Sequence, residues 1–500
     1  MTKLPSGTEK GACLAIDMGG TNLRVCSVTL HGDSTFSVIQ SKAKIPLSLM
    51  TAETYRDLFR YVADHAEAFM RTHMPNEIEK WNELRASSGG DDAASERLLK
   101  QKHAHPVGFT FSFTFDQSSI NRGTLMYWTK AFAIQDAVGR DPCTMLQDAL
   151  DERQLPLLVT ALVNDTTGAL AARAYCAPSA GGTLLGAIFG TGTNGAYMEK
   201  VSKITKLHKN PSASPEPPEQ PAAYMALNTE WGGFDRELLV LPTTTYDREL
   251  DQASVNPDDQ HFEKRVSGLY LGELWRKAIL AAAAASSSSS SHLDNSRPFT
   301  FRIPEESPLR LANSIDSSFL SQLIRHMTSD VEAAKTFCTQ FLGFEQALTT
   351  TEVRAMCIVA EAIGLRAARL SAVAIAGVVL QSGLLSATTP ESGPTQPAAS
   401  LSFLPRVNSM WSPYILSFLP SWCRCRLTPL RSDTEAPDTV DIGVDGSLFE
   451  HFPGFEHHMR SALRNIPGIG SQLERRIRIG ATKDGSGVGA ALVAMLHRPE

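Results

Sequence analysis

The chain has 500 residues, of which 42% are hydrophobic and 20% charged, the composition of a soluble globular protein. That length is too great for one ordinary core, so two or more domains are expected. With 47 basic and 53 acidic residues the net charge is −6, which argues against a nucleic-acid partner held by a basic face but not against a small anionic ligand.

The chain opens MTKLPSGTEKGAC, which has no apolar segment of the signal-peptide kind. Residues 13–30 (CLAIDMGGTNLRVCSVTL) place a Gly-Gly turn between two apolar runs, which predicts a β-hairpin. Residues 161–175 (ALVNDTTGALAARAY) predict a strand end, a polar switch and a helix. Residues 184–198 predict strand, Gly-rich turn and strand again, and 371–380 and 440–448 carry further strand signals. Strands alternating with helices imply an α/β architecture. Three stretches do not look like folded core: 87–95 (SSGGDDAAS), the alanine-serine run from 281, and a Pro- and Ser-rich stretch from about 387 to 436. Within the last, residues 401–420 are apolar but hold Arg406, Asn408 and three prolines, so no membrane span is expected. The eight cysteines are scattered, which predicts reduced thiols in the cytoplasm. Cys423 and Cys425 lack a second ligand pair for zinc.

Asp17, Gly19, Gly20, Thr21, Asn22 and Arg24 lie at the first hairpin turn. Glycines let backbone N–H groups approach phosphate oxygens, Arg24 supplies positive charge, and an Asp at a strand end can hold Mg²⁺ through water. A plain tight turn explains the same residues. Gly190 to Asn194 form a second such turn, and neither hairpin ends in the GKS or GKT of a Walker A loop. Residues 443–448 (GVDGSL) and 484–489 (DGSGVG) offer glycine turns near the C-terminus, as caps or as close approaches to a nucleotide. Asp165, between strand and helix, suits a carboxylate that takes a hydroxyl proton; the local sequence by itself favours a helix N-cap, and the two roles are compatible. Segments 109–117, 128–130, 228–232 and 262–264 combine Asn, Glu, Ser, Thr or Lys with aromatics, as a hydroxyl-reading site needs. Each alone is commonly an ordinary surface segment; together and in order they carry more.

In that order the segments resemble the hexokinase family. LAIDMGGTNLRV and IFGTGTNGAYME look like its two phosphate hairpins, GFTFSFTFDQSSINRGTLMYWTKAF like its sugar-binding stretch, and ALVNDTTG like its catalytic-aspartate stretch. LNTEWGGFD, the stretch through HFEKRVSGLYLGE, IGVDGSLFEHFPGF and DGSGVGAALVAM complete the order, and the text is most similar to fungal glucokinases. The resemblance implies an actin-like (ribonuclease H-like) ATPase fold, with two α/β domains around a sugar/nucleotide cleft. It implies a small domain at 12–163, to which a helix at 488–500 returns, and a large domain at 164–487, interrupted at 281–297 and 387–436. It implies phosphorylation of glucose or another hexose at the 6-hydroxyl, the first step of glycolysis, with ATP and Mg²⁺. Asp165 falls on the general base, and Lys130 offsets charge on the transferred phosphoryl group. Ser112, Thr129, Lys130, Asn164, Asn194, Glu230, Gln260 and Glu263 fall on the sugar side. Asp17, Gly19, Gly20, Thr21, Asn22, Arg24, Thr191, Gly268, Ser321, Gly446 and Ser447 fall on the nucleotide side. A cytoplasmic monomer or homodimer, with no nucleic-acid or membrane partner, is expected.

The chain departs from that pattern. Thr114 stands where the family has Pro, and Ala131 and Asp258 where it has Gly. Only about a dozen residues precede the first hairpin, where the family has a helical extension. The 387–436 stretch has no counterpart and reads as a translated intron or gene-model error; sequencing the transcript across it tests this. A sugar-sensing regulator with little turnover is the rival reading, against which stand Asp165, Lys130 and both hairpins.

Overall fold

The apolar run at residues 13–16 is buried on both faces and forms the middle of a sheet, as a continuous apolar strand should. In the computed structural model all residues are described except 21, 88–92, 129–131, 179–181, 207–222, 289–298, 300, 386–438, 483 and 498–500. The candidates Thr21, Thr129 and Lys130, the departure at Ala131, the stretch 387–436 and Cys423 and Cys425 therefore lie outside the described residues. So does the serine-rich end of the 281–297 interruption.

The first sheet has the order β3-β2-β1-β4-β7, from Phe36–Lys44, Asn22–His31, Lys10–Met18, His105–Phe111 and Leu157–Val163. Strands β1, β2 and β3 form an antiparallel meander, and β4 and β7 add in parallel. The second sheet has the order β10-β9-β8-β11-β12, from Tyr224–Asn228, Thr193–Lys200, Thr183–Phe189, Val440–Asp445 and Ile477–Ala481. Its first three strands are again an antiparallel meander with two parallel strands added. The two halves thus share one topology, and each places a glycine hairpin at the β1–β2 or β8–β9 turn. Strands β5 (Thr114–Ser119) and β6 (Arg122–Tyr127) form a separate ribbon.

The principal helices are α1 Tyr55–His73, α2 Pro75–Ser87, α3 Ala93–His103, α4 Pro142–Glu152, α5 Asp165–Cys176, α6 His261–Val266, α7 Gly268–Ser288, α8 Ser317–Ser329, α9 Thr350–Ser382, α10 Ser447–His451, α11 Phe455–Asn465 and α12 Gly485–Leu496. Helix α12 packs on β4, β1 and β7, and α5 packs on β8, β9 and β11. The two helices face each other between the sheets. That crossing needs bare backbone. A Cβ on Gly489 would lie 1.9 Å from the Gly168 carbonyl oxygen, far inside any real contact.

Three expectations are corrected. Residues 371–380 are not a strand but part of α9, which opens with a capping box between Thr349 and Glu352 and closes at left-handed Gly383. Their apolar character reflects a helix buried on most sides: Ser371, Ala372, Ile375 and Val379 are fully buried. Residues 281–288 extend α7, because alanine is the strongest helix former whatever the complexity of the sequence. Ser87 closes α2 and residues 93–95 open α3, so these four are helical rather than loop, while 88–92 lie outside the described residues. Helix α9 is long and apolar enough to cross a membrane, and half of its most apolar window is buried inside the protein. Among the described cysteines, Cys26, Cys143, Cys176, Cys338 and Cys357 are free thiols.

Candidate active site

Strand β7 ends at Val163 and helix α5 starts at Asp165, so the junction aims polar side chains off a sheet end. Asn164, not Asp165, is the N-cap: its Oδ1 accepts the Thr166 N–H at 3.0 Å and the Thr166 hydroxyl at 2.6 Å. Asp165 is the first helical residue, and its Oδ1 also accepts the Thr166 N–H, at 2.8 Å. It is half-buried, and the helix N-terminus favours its negative charge. Ser112 follows β4 and donates its backbone N–H to the Met18 carbonyl, beside the first hairpin.

The second hairpin gathers the next group. Asn194 Nδ2 donates to Glu230 Oε1 and to Asn228 Oδ1, each at 2.8 Å, and Asn228 Nδ2 donates to Glu230 Oε1 at 2.6 Å. Glu263 Oε2 accepts the Thr193 N–H at 3.0 Å. The side chain of Gln260 lies against Gly232, the second residue after Glu230. Glu230 and Gln260 both hold left-handed backbone, at φ 49° and 54°.

The other flank of the same hairpin meets the nucleotide-side candidates. The Gly268 N–H donates to the Gly190 carbonyl at 2.7 Å, and the Leu269 N–H to the Thr191 carbonyl at 3.2 Å. Gly446, at φ 117°, presses on Phe189 and Gly190, where any side chain would clash. Ser317 abuts Gly268, and Ser321 donates to the Ser317 carbonyl at 2.9 Å. Ser447 follows Gly446 as the first residue of α10.

At the first hairpin the Gly19 N–H closes on the Asn22 carbonyl at 3.0 Å, with Gly20 at the turn. Arg24 is 3.4 Å from Asp17 and 3.0 Å from Asp484. Asp17 is buried and accepts the Ser486 hydroxyl at 3.0 Å. Arg24, Asp445, Gly446, Ser447, Glu450, His451 and Asp484 line one cavity of about 220 Å³. The first hairpin, the β11–α10 turn and the start of α12 thus meet at one place. Burial pushes the Asp445 carboxyl up to about 6, with the Glu450 and Asp484 charges acting the same way and the Gly485 N–H, 3.0 Å away, opposing. Glycine-walled turns beside an arginine suit a polyphosphate chain, and the Asp17 and Asp445 carboxylates suit the divalent cation that accompanies it.

Sequence reasoning assigned Arg24, Gly446 and Ser447 to the nucleotide side and pointed to the turns 443–448 and 484–489, but gave no role to the side chains of Asp445, Glu450, His451, Asp484 or Ser486. The available signal was the aspartate that precedes Gly-Ser in both GVDGSL and DGSGVG.

Two family models described as hexokinase match the chain, one over residues 1–175 and the other over 184–496. The chain is 42% identical over 500 residues to the glucokinase of Aspergillus niger, a match spanning 100% of this chain and 88% of that protein. It is 35% identical over 510 residues to glucokinase-1 of Saccharomyces cerevisiae, spanning 99% and 86%. Among solved structures it is similar to the hexokinase from Schistosoma mansoni complexed with glucose, at a TM-score of 0.70 and 27% identity over 99% of this chain and 87% of that one.

Proposed function

Since the chain belongs to the hexokinase family, we propose that its hexose phosphorylation moves the γ-phosphate of MgATP onto the 6-hydroxyl of glucose, with Asp165 as general base. The observation that carries this reading is the two-sided second hairpin. One flank bears the amide and carboxylate groups of Asn194, Glu230 and Glu263, which suit sugar hydroxyls. The other flank is bare glycine backbone against Gly268 and Gly446, which suits phosphate.

Asp165, ionised at the start of α5, takes the hydroxyl proton as the sugar oxygen attacks. Its hydrogen bond to the Thr166 N–H fixes the carboxylate's direction. Arg24 and the glycine turns hold the phosphates, and Lys130 offsets the charge that spreads over the transferred group. MgATP, as substrate, brings the phosphoryl group and its cation. Closure of the two sheets toward each other excludes water, which competes with the sugar as acceptor. We assign the activity to the cytoplasm and to the entry of sugar into glycolysis.

A coupled assay of ADP release, run with glucose and with fructose, tests the proposal. Hexose-dependent release, faster with glucose, is expected. Release no higher with any hexose than without sugar overturns it.

A further inference from the structure

Asn228, the last residue of β10, closes a three-membered polar ring with Asn194 and Glu230. The chemistry of the ring fixes how each amide points. A carboxylate only accepts, so both Nδ2 groups must face Glu230 Oε1. Asn228 Oδ1 is then turned to the Asn194 amide, which it accepts at 2.8 Å. Asn194 is pinned from its other end, where its Oδ1 accepts the Gly195 N–H at 2.7 Å and the Thr229 hydroxyl at 3.3 Å.

We propose that Asn228 is a positioning residue for hexose recognition, holding the Glu230 carboxylate and the Asn194 amide in the orientation that reads sugar hydroxyls. This rests on the functional reading above, in which Glu230 and Asn194 touch the sugar and Asn228 acts through them. Glu230 Oε1 takes both amides, so acceptance from a ligand falls to Oε2. An exposed glutamate without such a clamp samples many rotamers, and ordering it on binding costs affinity. Asn228 and Glu230 are both exposed, so the ring adds little to the stability of the fold. Glu230 also holds left-handed backbone, a conformation that non-glycine residues keep where the surroundings over-determine them.

The test uses the full chain, with glucose binding measured by calorimetry alongside steady-state kinetics. N228A removes one donor and one acceptor. It is expected to raise both the glucose Kd and KM by about tenfold or more, since a hydrogen bond to a charged group is lost, while kcat stays within about threefold. N228D keeps the acceptor for Asn194 but sets a carboxylate against Glu230, so at pH 7.5 it binds glucose more weakly than N228A. As the pH falls toward 5.5 the two carboxylates come to share a proton, whose O–H replaces the lost N–H. Glucose affinity then recovers in N228D alone, a response that a purely structural residue would not give. A Kd for N228A within twofold of the parent overturns the proposal, and so does an N228D defect that does not lessen on acidification. A parent protein that neither binds nor phosphorylates a hexose fails at the functional reading itself, which the parent's own titration reveals before any variant is made.

Discussion

Ser486 donates its hydroxyl hydrogen to the Asp17 carboxylate at 3.0 Å, joining residues 469 positions apart in the chain. Both are buried, and beside them Arg24 bridges Asp17 to Asp484. The start of the last helix thereby sets the carboxylate at the end of the first strand. Ser486→Ala removes a buried hydrogen bond to a charge. It should cost about 1.5–3 kcal/mol in urea denaturation and raise the KM for ATP while leaving that for glucose unchanged. An unchanged unfolding midpoint and ATP KM would show that Asp17 is held by other groups.

Asp165→Ala should lower kcat by about 10²–10⁴, the usual contribution of a general base, with glucose still bound at equilibrium. A variant that turns over at near the parent rate rules out Asp165 as the base.

Asp445 gives a pH signature. Its folded-state value of about 6 stands above the ordinary 3.8, so the folded protein holds this proton more tightly than the unfolded chain. The contribution favours folding below about pH 4 and is lost as the pH rises through 6, a swing of about 3 kcal/mol. Asp445→Asn has no proton to lose and can still accept the Gly485 N–H. The stability of this variant relative to the parent should therefore rise by up to about 3 kcal/mol between pH 4 and 7. Comparing the two proteins cancels carboxylates of the opposite sign, such as Asp247, Asp251 and Glu273, whose partners hold them low. A difference that stays flat across that range contradicts the burial argument.

Asp258 stands at φ 60°, left-handed backbone, where the resemblance to the family leads one to expect glycine. Its N–H, bonded to Asp251 Oδ2 at 3.1 Å, survives replacement. Asp258→Gly should stabilise the protein by about 0.5–1 kcal/mol, because the relief of backbone strain exceeds the added flexibility of the unfolded chain. Denaturant titration decides the sign.

Gly489→Ala puts a methyl group where the Gly168 carbonyl already stands, and backbone on both sides leaves nothing to rotate away. A loss of about 3 kcal/mol or more is expected in denaturant titration, the upper end for overpacking. A loss below about 1 kcal/mol would mean that α5 and α12 part easily.

How much of this was legible in the sequence depended on the range of the forces involved. Hairpin β1–β2 and the β7–α5 junction announce themselves locally, through a Gly-Gly turn between apolar runs and a polar cap before an alanine-rich helix. The long-range partners carry no local mark. Asp484 and Ser486 read as turn residues because Arg24 and Asp17, which give them their role, lie at the far end of the chain. Asp165 looked like a cap because aspartate caps well, yet Asn164 one position earlier has the extended backbone that the cap needs. Residues 371–380 looked like a strand because a run with Ser371 as its one polar residue has no period to betray the helix around it.

The placement of α12 has a consequence for biosynthesis. The faces of β1, β4 and β7 that it covers are complete once Val163 is made, while their cover begins only at Gly485. At ordinary elongation rates that apolar surface stays bare for roughly a quarter of a minute to a minute. The amino-terminal sheet is thus born incomplete, and a chaperone that shields exposed strands has its longest opportunity there, before α12 emerges.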